Sequence, residues 1–227
     1  MIPYNDGIWA YHCHVNHHIK MGMIALYQVL PSTIPIPTIK KTGRLRKYFI
    51  AAEELTWDYA PKNKNEVTGK AFSTENELLT TQTTSQTVGT KYQKVCYVEY
   101  TDASFTKKKQ RTKDWEHLGF LGPLIRAEVG DEIEVVFKNK HAYPLSLHPH
   151  GVFYKKDSEG AFYQDNIDPK DKSTGFVKEG RIVIYRWFVP EQSGHFFNFL
   201  SFSFFIFLFF YFLFSNFFIF YFHFLFF

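Results

Sequence analysis

The stretch Ile8-Trp9-Ala10-Tyr11-His12-Cys13-His14 is the most informative part of this 227-residue chain. Its aromatic and β-branched residues predict a strand, and the side chains of a strand point alternately to opposite faces. His12 and His14 are therefore expected on one face and Cys13 on the other. Because three consecutive strand residues do not converge on one point, a single tetrahedral zinc site is disfavoured. Two ligand sets placed back to back fit the stretch better.

Further ligand residues follow the cysteine. His18 lies five residues after Cys13, and Met23 lies ten residues after it. A thiolate, neutral imidazoles and a thioether are the ligands of blue-copper electron-transfer sites, in which soft sulfur ligands favour reduced copper. Cys13, His18 and Met23 are therefore predicted to supply three of the four ligands of such a site.

A second histidine pair lies in Leu147-His148-Pro149-His150-Gly151. Pro149 fixes its own φ and biases His148 toward extended conformations, so the two imidazoles are expected on a common side. Gly151 has no Cβ, which lets backbone or a metal ion approach closely. Taken alone, this pair is also compatible with two exposed strand histidines that bind no metal.

Together these motifs resemble those of the multicopper oxidases, and the intervening residues narrow the resemblance to the ceruloplasmin and hephaestin ferroxidases. The resemblance extends from about Pro3 to about Gly194. The phrases that resemble domain openings of that family are Tyr48–Glu54, Trp57–Pro61, Glu99–Thr106, Leu118–Pro123 and Ala127–Asp131. The copper motifs are highly specific, whereas these phrases are shared with the copper-poor A domains of coagulation factors.

The resemblance implies a copper-binding role for each ligand residue. Cys13, His18 and Met23 would bind the type 1 copper. The three-copper cluster would be held by type 3 ligands His12, His14 and His150 and by the type 2 ligand His148. In such enzymes the type 1 site takes single electrons from a reducing substrate, and the cluster collects four electrons to reduce dioxygen to water.

The function implied is that of a copper-dependent oxidase acting on a metal ion, ferrous iron above all, or on a small reductant. In the family, an aspartate that helps hold ferrous iron often precedes the second type 1 histidine, but His17 stands here. Phenols, amines and cuprous ion therefore remain open as substrates. A non-catalytic interaction module, like the A domains of coagulation factors, is the alternative, and it would be expected to lose the cluster histidines. A simple electron-transfer cupredoxin would need the type 1 ligands alone.

The chain is expected to cover an incomplete, all-β, cupredoxin-like (plastocyanin-like) antiparallel β-sandwich. Residues 1–30 are predicted to be the last strands of one domain, residues 31–45 a linker, and residues 46–195 the first part of a second domain. The strands predicted in the second domain lie at 45–57, 91–100, 124–137 and 181–189. Neighbouring cupredoxin domains of a longer parent would complete the cluster, so this chain alone is expected to be inactive.

The composition changes abruptly after residue 195, since residues 196–227 are mostly Phe with some Leu, Ile, Ser and Tyr. This low-complexity tail is long and apolar enough for a membrane anchor, which needs ~20 residues. The favoured interpretation is a read-through artefact, because the codons for Phe, Ser, Leu and Tyr are pyrimidine-rich, as intronic tracts are. Real spanning helices are usually richer in Leu, Val, Ala and Gly.

The remaining composition sets broad limits. The net charge of +4 is too small to indicate a nucleic-acid partner, and the run Lys107–Arg111 is predicted to be a solvated loop. Two cysteines cannot form a disulfide framework, and Cys96 is predicted to be a small buried residue. No signal peptide begins at Met1, whereas the resemblance implies a secreted or anchored protein with an extracytoplasmic site. Four histidines carry no motif and are expected to be incidental: His117, His141, His195 and His223.

Overall fold

The computed structural model describes residues 5–32, 42–166 and 174–191, together with the backbone of residues 218–220. Strands are the main elements of these parts. In chain order they are β1 (Gly7–His12), β2 (Ile24–Val29), β3 (Leu45–Asp58), β4 (Lys91–Tyr100), β5 (Ile125–Ala127), β6 (Glu132–Asn139), β7 (Phe153–Tyr154), β8 (Ile182–Phe188) and β9 (Phe218–Phe220). The helices are short: α1 (Asn16–Lys20), α2 (Glu75–Thr81) and two 3₁₀ segments, Lys113–Leu118 and Lys156–Ser158. The all-β prediction is therefore confirmed.

A five-stranded sheet in the order β4-β3-β6-β8-β7 forms the centre of the described structure. β3 pairs antiparallel with β4 but parallel with β6, and β6 pairs antiparallel with β8. The sheet is therefore mixed, whereas the sequence predicted antiparallel pairing throughout. The apolar alternation along a strand shows which face is buried but not the direction of its neighbour, so the parallel pair could not be read from it.

Large aromatic side chains of β6 and β8 fill the core on one face of this sheet. Phe137 and Tyr185 are fully buried and Trp187 is almost so. The Trp187 indole donates to Ser158 O at 2.9 Å, and Tyr185 accepts a hydrogen bond from Leu147 N at 3.2 Å. Buried Tyr and Trp side chains need such partners. These bonds fix the chain on both sides of the second histidine pair to the core.

β1 and β2 form a separate two-stranded hairpin, in which Gly7 lies opposite Val29 and His12 opposite Ile24. The two predicted strands are thus present, although β1 ends at His12, before the Cys13-His14 pair, and α1 lies in the connection. An isolated two-stranded hairpin is marginally stable in water. Its contacts with the rest of the chain therefore decide where the cysteine motif lies.

Helix α2 is an element that the strand pattern does not predict. Thr74 Oγ1 accepts a hydrogen bond from Glu77 N at 3.3 Å, and the Glu77 carboxylate accepts one from Thr74 N at 3.0 Å. This reciprocal pair is a capping box. The spacing of a threonine and a glutamate three residues later was the available sequence signal.

Two local predictions are confirmed. Lys107–Arg111 is a loop, held by Lys109 Nζ at 2.8 Å from Glu99 Oε1 and by hydrogen bonds from Arg111 to backbone carbonyls. Cys96 is 6% exposed, and its thiol lies 2.9 Å from Phe120 O. The contacts of this loop and of Cys96 are therefore made within the fold.

Most of the predicted linker lies outside the described residues, and β3 begins at Leu45, the last linker residue. The Phe-rich tail also lies outside them, except for the backbone of β9, which pairs antiparallel with β5. Among the helices of the described parts, none is long and apolar enough to cross a membrane. The domain division stays a prediction.

Asp131 closes the turn between β5 and β6 and is 2% exposed. Its carboxylate accepts hydrogen bonds from Arg44 N at 2.7 Å and Glu128 N at 2.9 Å, and it pairs with the Arg46 guanidinium. Burial raises the pKa of this carboxyl, but the two backbone donors and Arg46 outweigh it and leave the pKa below its ordinary value. Asp131 is therefore a charged group on which this turn depends.

We expect Asp131→Ala to lower the free energy of unfolding by about 3 kcal/mol, because it leaves two backbone N–H groups without their acceptor and removes one of the two carboxylates that pair with Arg46. Urea unfolding followed by tryptophan fluorescence measures the loss. Asp102→Ala is the matched control: its exposed carboxylate accepts from Ser104 N at 2.8 Å, and a much smaller loss is expected. Equal losses in the two variants would contradict this account of the turn.

The capping box of α2 should respond to acid. Hydrogen bonds, first from the Asn65 side chain and then from Thr74 and Ser73, lower the pKa of Glu77 to about 2. Since the unfolded value is about 4.3, this stabilisation is complete above that pH and is lost as pH falls through the folded pKa. The NMR protection factors of the α2 amides, which compare their exchange rates with those of an unstructured chain at the same pH, should therefore fall between about pH 4 and about pH 2. Glu77→Gln should remove this pH dependence, and Glu75→Gln should keep it.

Candidate metal centre

The open end of the hairpin carries the cysteine motif. Cys13 N donates to Met23 O at 3.1 Å, so pairing between the two chains continues one residue beyond β1. Met23 N in turn donates to His18 O at 2.9 Å, which closes the loop containing α1. Cys13, His18 and Met23 are thus gathered at one end of the hairpin by backbone hydrogen bonds.

Two of these three side chains touch. Cys13 Sγ lies 3.3 Å from His18 Nδ1, and Cys13 is partly buried. Met23 lies opposite Cys13 in the hairpin and is 55% exposed. The structure therefore forms a thiol–imidazole pair and places the thioether residue beside it.

The two histidine pairs face each other. The rings of His12 and His14 stack, with centroids 6.5 Å apart and planes inclined by 22°. The His14 ring lies edge-on to that of His150 at 5.1 Å, and His150 lies 4.9 Å from His148. The four imidazoles predicted to share a cluster therefore form one continuous group between the hairpin end and residues 147–151.

Backbone contacts orient His148. Its Nδ1 lies 2.7 Å from Glu159 O, and a carbonyl can only accept, so Nδ1 carries the proton and Nε2 has the lone pair that a metal needs. Metal-ligating histidines are commonly fixed in this way. Burial lowers the pKa of His148, and the opposing hydrogen bond to Glu159 is the weaker effect, so the neutral ligand form is favoured.

Glu159 and Gly160 are site residues that the sequence reasoning missed. A Cβ on Gly160 would lie 1.6 Å from Leu147 O, and the residue has a φ of +69°, so only glycine lets this segment approach the segment that carries the second histidine pair. Neither residue belongs to a spacing motif. The one sequence signal for them is the glycine at position 160, because a glycine can mark a place where two backbone segments approach closely.

The remaining histidines lie elsewhere. His141 is buried, with Nε2 3.0 Å from Glu54 Oε1, and the His117 ring packs at 5.8 Å from that of Trp115. His17 is exposed, and its ring lies 6.5 Å from that of His18. His195 and His223 fall outside the described residues.

The donor set can be compared with the needs of a metal ion. In residues 5–32, 42–166 and 174–191, no three His, Cys, Asp or Glu side chains are grouped so that they could hold one ion. The centre consists of the Cys13–His18 pair and the two histidine pairs, and each metal ion would need further ligands beyond its pair. A thiol with an imidazole and a nearby thioether suits copper, and imidazole pairs suit copper or zinc. The residues therefore fit copper.

Comparison with known proteins agrees with this chemistry. Two family models, each described as multicopper oxidase, match residues 1–33 and residues 97–199. Hephaestin of Homo sapiens is 42% identical over 197 residues, which are 86% of this chain and 17% of that protein. Ferroxidase HEPHL1 of Homo sapiens is 42% identical over 195 residues, with 85% and 16% covered. Ceruloplasmin of Homo sapiens is 40% identical over 202 residues, with 86% and 19% covered. The chain thus spans less than a fifth of the length of each of these relatives.

The two family matches coincide with the two halves of the candidate centre. The first includes the hairpin with Cys13, and the second includes His148 and His150. The strand-rich, mixed-sheet architecture agrees with a cupredoxin-like sandwich, as predicted, and the family implies copper as cofactor. The chain belongs to the multicopper oxidase family and is similar within it to hephaestin and ceruloplasmin.

Proposed function

We propose that this chain is a copper-binding part of a multicopper oxidase that oxidises a metal ion or small reductant and reduces dioxygen to water. The distance of 5.1 Å between the His14 and His150 rings carries the proposal, because it joins two histidine pairs that are remote in sequence. An electron-transfer cupredoxin needs the type 1 ligands alone. A non-catalytic module needs neither pair.

The ligand roles follow from the donor chemistry and the family pattern. Cys13, His18 and Met23 would hold the type 1 copper. The cluster ligands would be His12, His14 and His150 for type 3 copper and His148 for type 2 copper. Bound copper would supply one-electron transfer at the first site and the reduction of dioxygen at the second. The chain's own contribution is to hold the ligands and to provide the short covalent path from Cys13 to its two neighbours, His12 and His14.

We propose that a neighbouring cupredoxin domain completes the cluster. The described parts supply imidazoles in pairs, and a cluster of three ions needs more ligands than these. The predicted boundary at residues 31–45 would place the cluster between two domains. By its likeness to the ferroxidases, we also propose that the centre lies outside the cytoplasm.

Ferrous iron is the substrate that the similarity to a protein named ferroxidase favours. Ferrous iron is expected to prefer carboxylate oxygens, whereas the exposed residue beside His18 is the imidazole of His17. Cuprous ion and small organic reductants therefore stay candidates beside ferrous iron. Direct comparison of these substrates decides among them.

Separate loss of the two copper sites tests the ligand assignment. Cys13→Ser should abolish the visible copper–thiolate charge-transfer band while histidine-bound copper remains. His150→Ala should keep that band and weaken copper binding at the histidine pairs at least about tenfold. Copper titration with absorption and electron paramagnetic resonance measures both. His117→Ala is the control, and loss of the same copper in both ligand variants would contradict two separate sites.

Dioxygen consumption tests the oxidase assignment. With ferrous iron, copper-loaded chain alone should consume dioxygen no faster than an equal amount of free copper, whereas the chain joined to its flanking cupredoxin domains should turn over. In that longer protein, His17→Asp should raise kcat/KM for ferrous iron and leave kcat/KM for a phenol unchanged. Full turnover by this chain alone would contradict the proposed need for a neighbouring domain.

A further inference from the structure

The phenol of Tyr163 binds the outer edge of β1. β1 pairs with β2 along one edge, and Ala10 N on the other edge donates to Tyr163 OH at 3.2 Å. The same hydroxyl lies 3.4 Å from Ile8 O. Outward N–H and C=O groups of an edge strand need partners, and here the Tyr163 hydroxyl is the acceptor for one of them, the Ala10 N–H.

The hydrogen-bonding capacity of this hydroxyl is fully used. A tyrosine hydroxyl has one proton and two lone pairs. It accepts from Ala10 N and from Lys156 Nζ, and it donates to Glu159 Oε1 at 2.7 Å. Lys156 Nζ also lies 3.2 Å from Asp165 Oδ2 and 4.6 Å from the centroid of the Trp9 ring. The network therefore links β1 to Lys156, Glu159 and Asp165 through Tyr163 and through Trp9.

Glu159 connects this network to the second histidine pair. Its side chain accepts from Tyr163, while its backbone carbonyl binds His148 Nδ1 at 2.7 Å. The preceding residue, Ser158, is tied to the core, since its carbonyl accepts from the Trp187 indole at 2.9 Å. One short segment therefore sets the place of the hairpin edge and the orientation of His148.

We propose that Tyr163 is a positioning residue that, with Lys156 and Glu159, keeps His14 beside His150. β1 ends at His12, so a shift of its edge at Ala10 moves the adjoining Cys13-His14 pair relative to His150. The charges of Lys156 and Glu159 are mostly buried, with side chains 17% and 7% exposed, which makes this arrangement costly to open. The consequence for copper rests on the proposed function, but the placement of the two histidines does not.

The test uses Tyr163→Phe in the full chain, read by NMR without metal. We expect the Ala10 amide to exchange at least about tenfold faster and the nuclear Overhauser contact between the His14 and His150 rings to be lost. Tyr100→Phe is the matched control, because Tyr100 OH also bridges a glutamate and a lysine, at 2.7 Å from both Glu53 Oε2 and Lys140 Nζ. It should leave both signals unchanged.

Unchanged Ala10 exchange and an unchanged ring contact in Tyr163→Phe would overturn the proposal, as would absence of the ring contact in the unsubstituted chain. If Tyr163→Phe fails to fold, Lys156→Met gives the same test, with faster Ala10 exchange expected and unchanged exchange overturning the proposal.

Titration of Tyr163→Phe and the unsubstituted chain with cupric ion distinguishes failure of the positioning role from failure of the proposed copper function. Loss of the ring contact with no copper binding by either protein supports the positioning role and refutes the copper function. Loss of the ring contact with copper binding weakened about tenfold supports both.

Discussion

The candidate centre depends on the contact between the outer edge of β1 and the segment that follows the second histidine pair. Without it, the hairpin would be two strands with little else to bury, and its cysteine motif would have no fixed place. This contact is polar: a tyrosine hydroxyl, a lysine ammonium and carboxylates meet backbone N–H and C=O groups. Buried charges of this kind add little net stability, but they define one geometry, because a displaced partner leaves an unpaired charge. A ligand set divided between the hairpin end and residues 147–151 requires such precise placement.

The hairpin end explains how adjacent residues can serve two sites. Cys13 lies just beyond β1 and remains paired with Met23 through the backbone, so the alternation of faces continues past the strand. The rings of His12 and His14 stack, and the His14 ring contacts that of His150, whereas the thiol of Cys13 contacts His18. The connection between the two sites is then the covalent chain itself. The loop that brings His18 and Met23 back is stabilised by hydrogen bonds that do not depend on side-chain identity.

Much of the fold could be predicted because local alternation dominates it. The long strand β4 has the predicted bounds, and β3 ends one residue beyond them. The i, i+2 spacing of each histidine pair also predicted that its imidazoles would lie together, which the ring distances bear out. The parallel pairing of β3 with β6 was missed because the alternation of apolar and polar residues along a strand is the same whether its neighbour runs parallel or antiparallel. Helix α2 was missed although the residues of its capping box are recognisable in the sequence. Tyr163 could not be found from sequence, since its partner Ala10 is 153 residues away and a lone tyrosine in a loop carries no spacing signal.

The assignment of each ligand to a copper type remains a prediction from donor chemistry and family pattern. Anomalous X-ray diffraction at the copper absorption edge, on crystals of the copper-loaded protein, tests it most directly. The account predicts one copper peak beside Cys13 and His18 and a separate peak or peaks between His14 and His150. A single peak shared by the cysteine and the histidine pairs, or copper bound away from both sets, would contradict it.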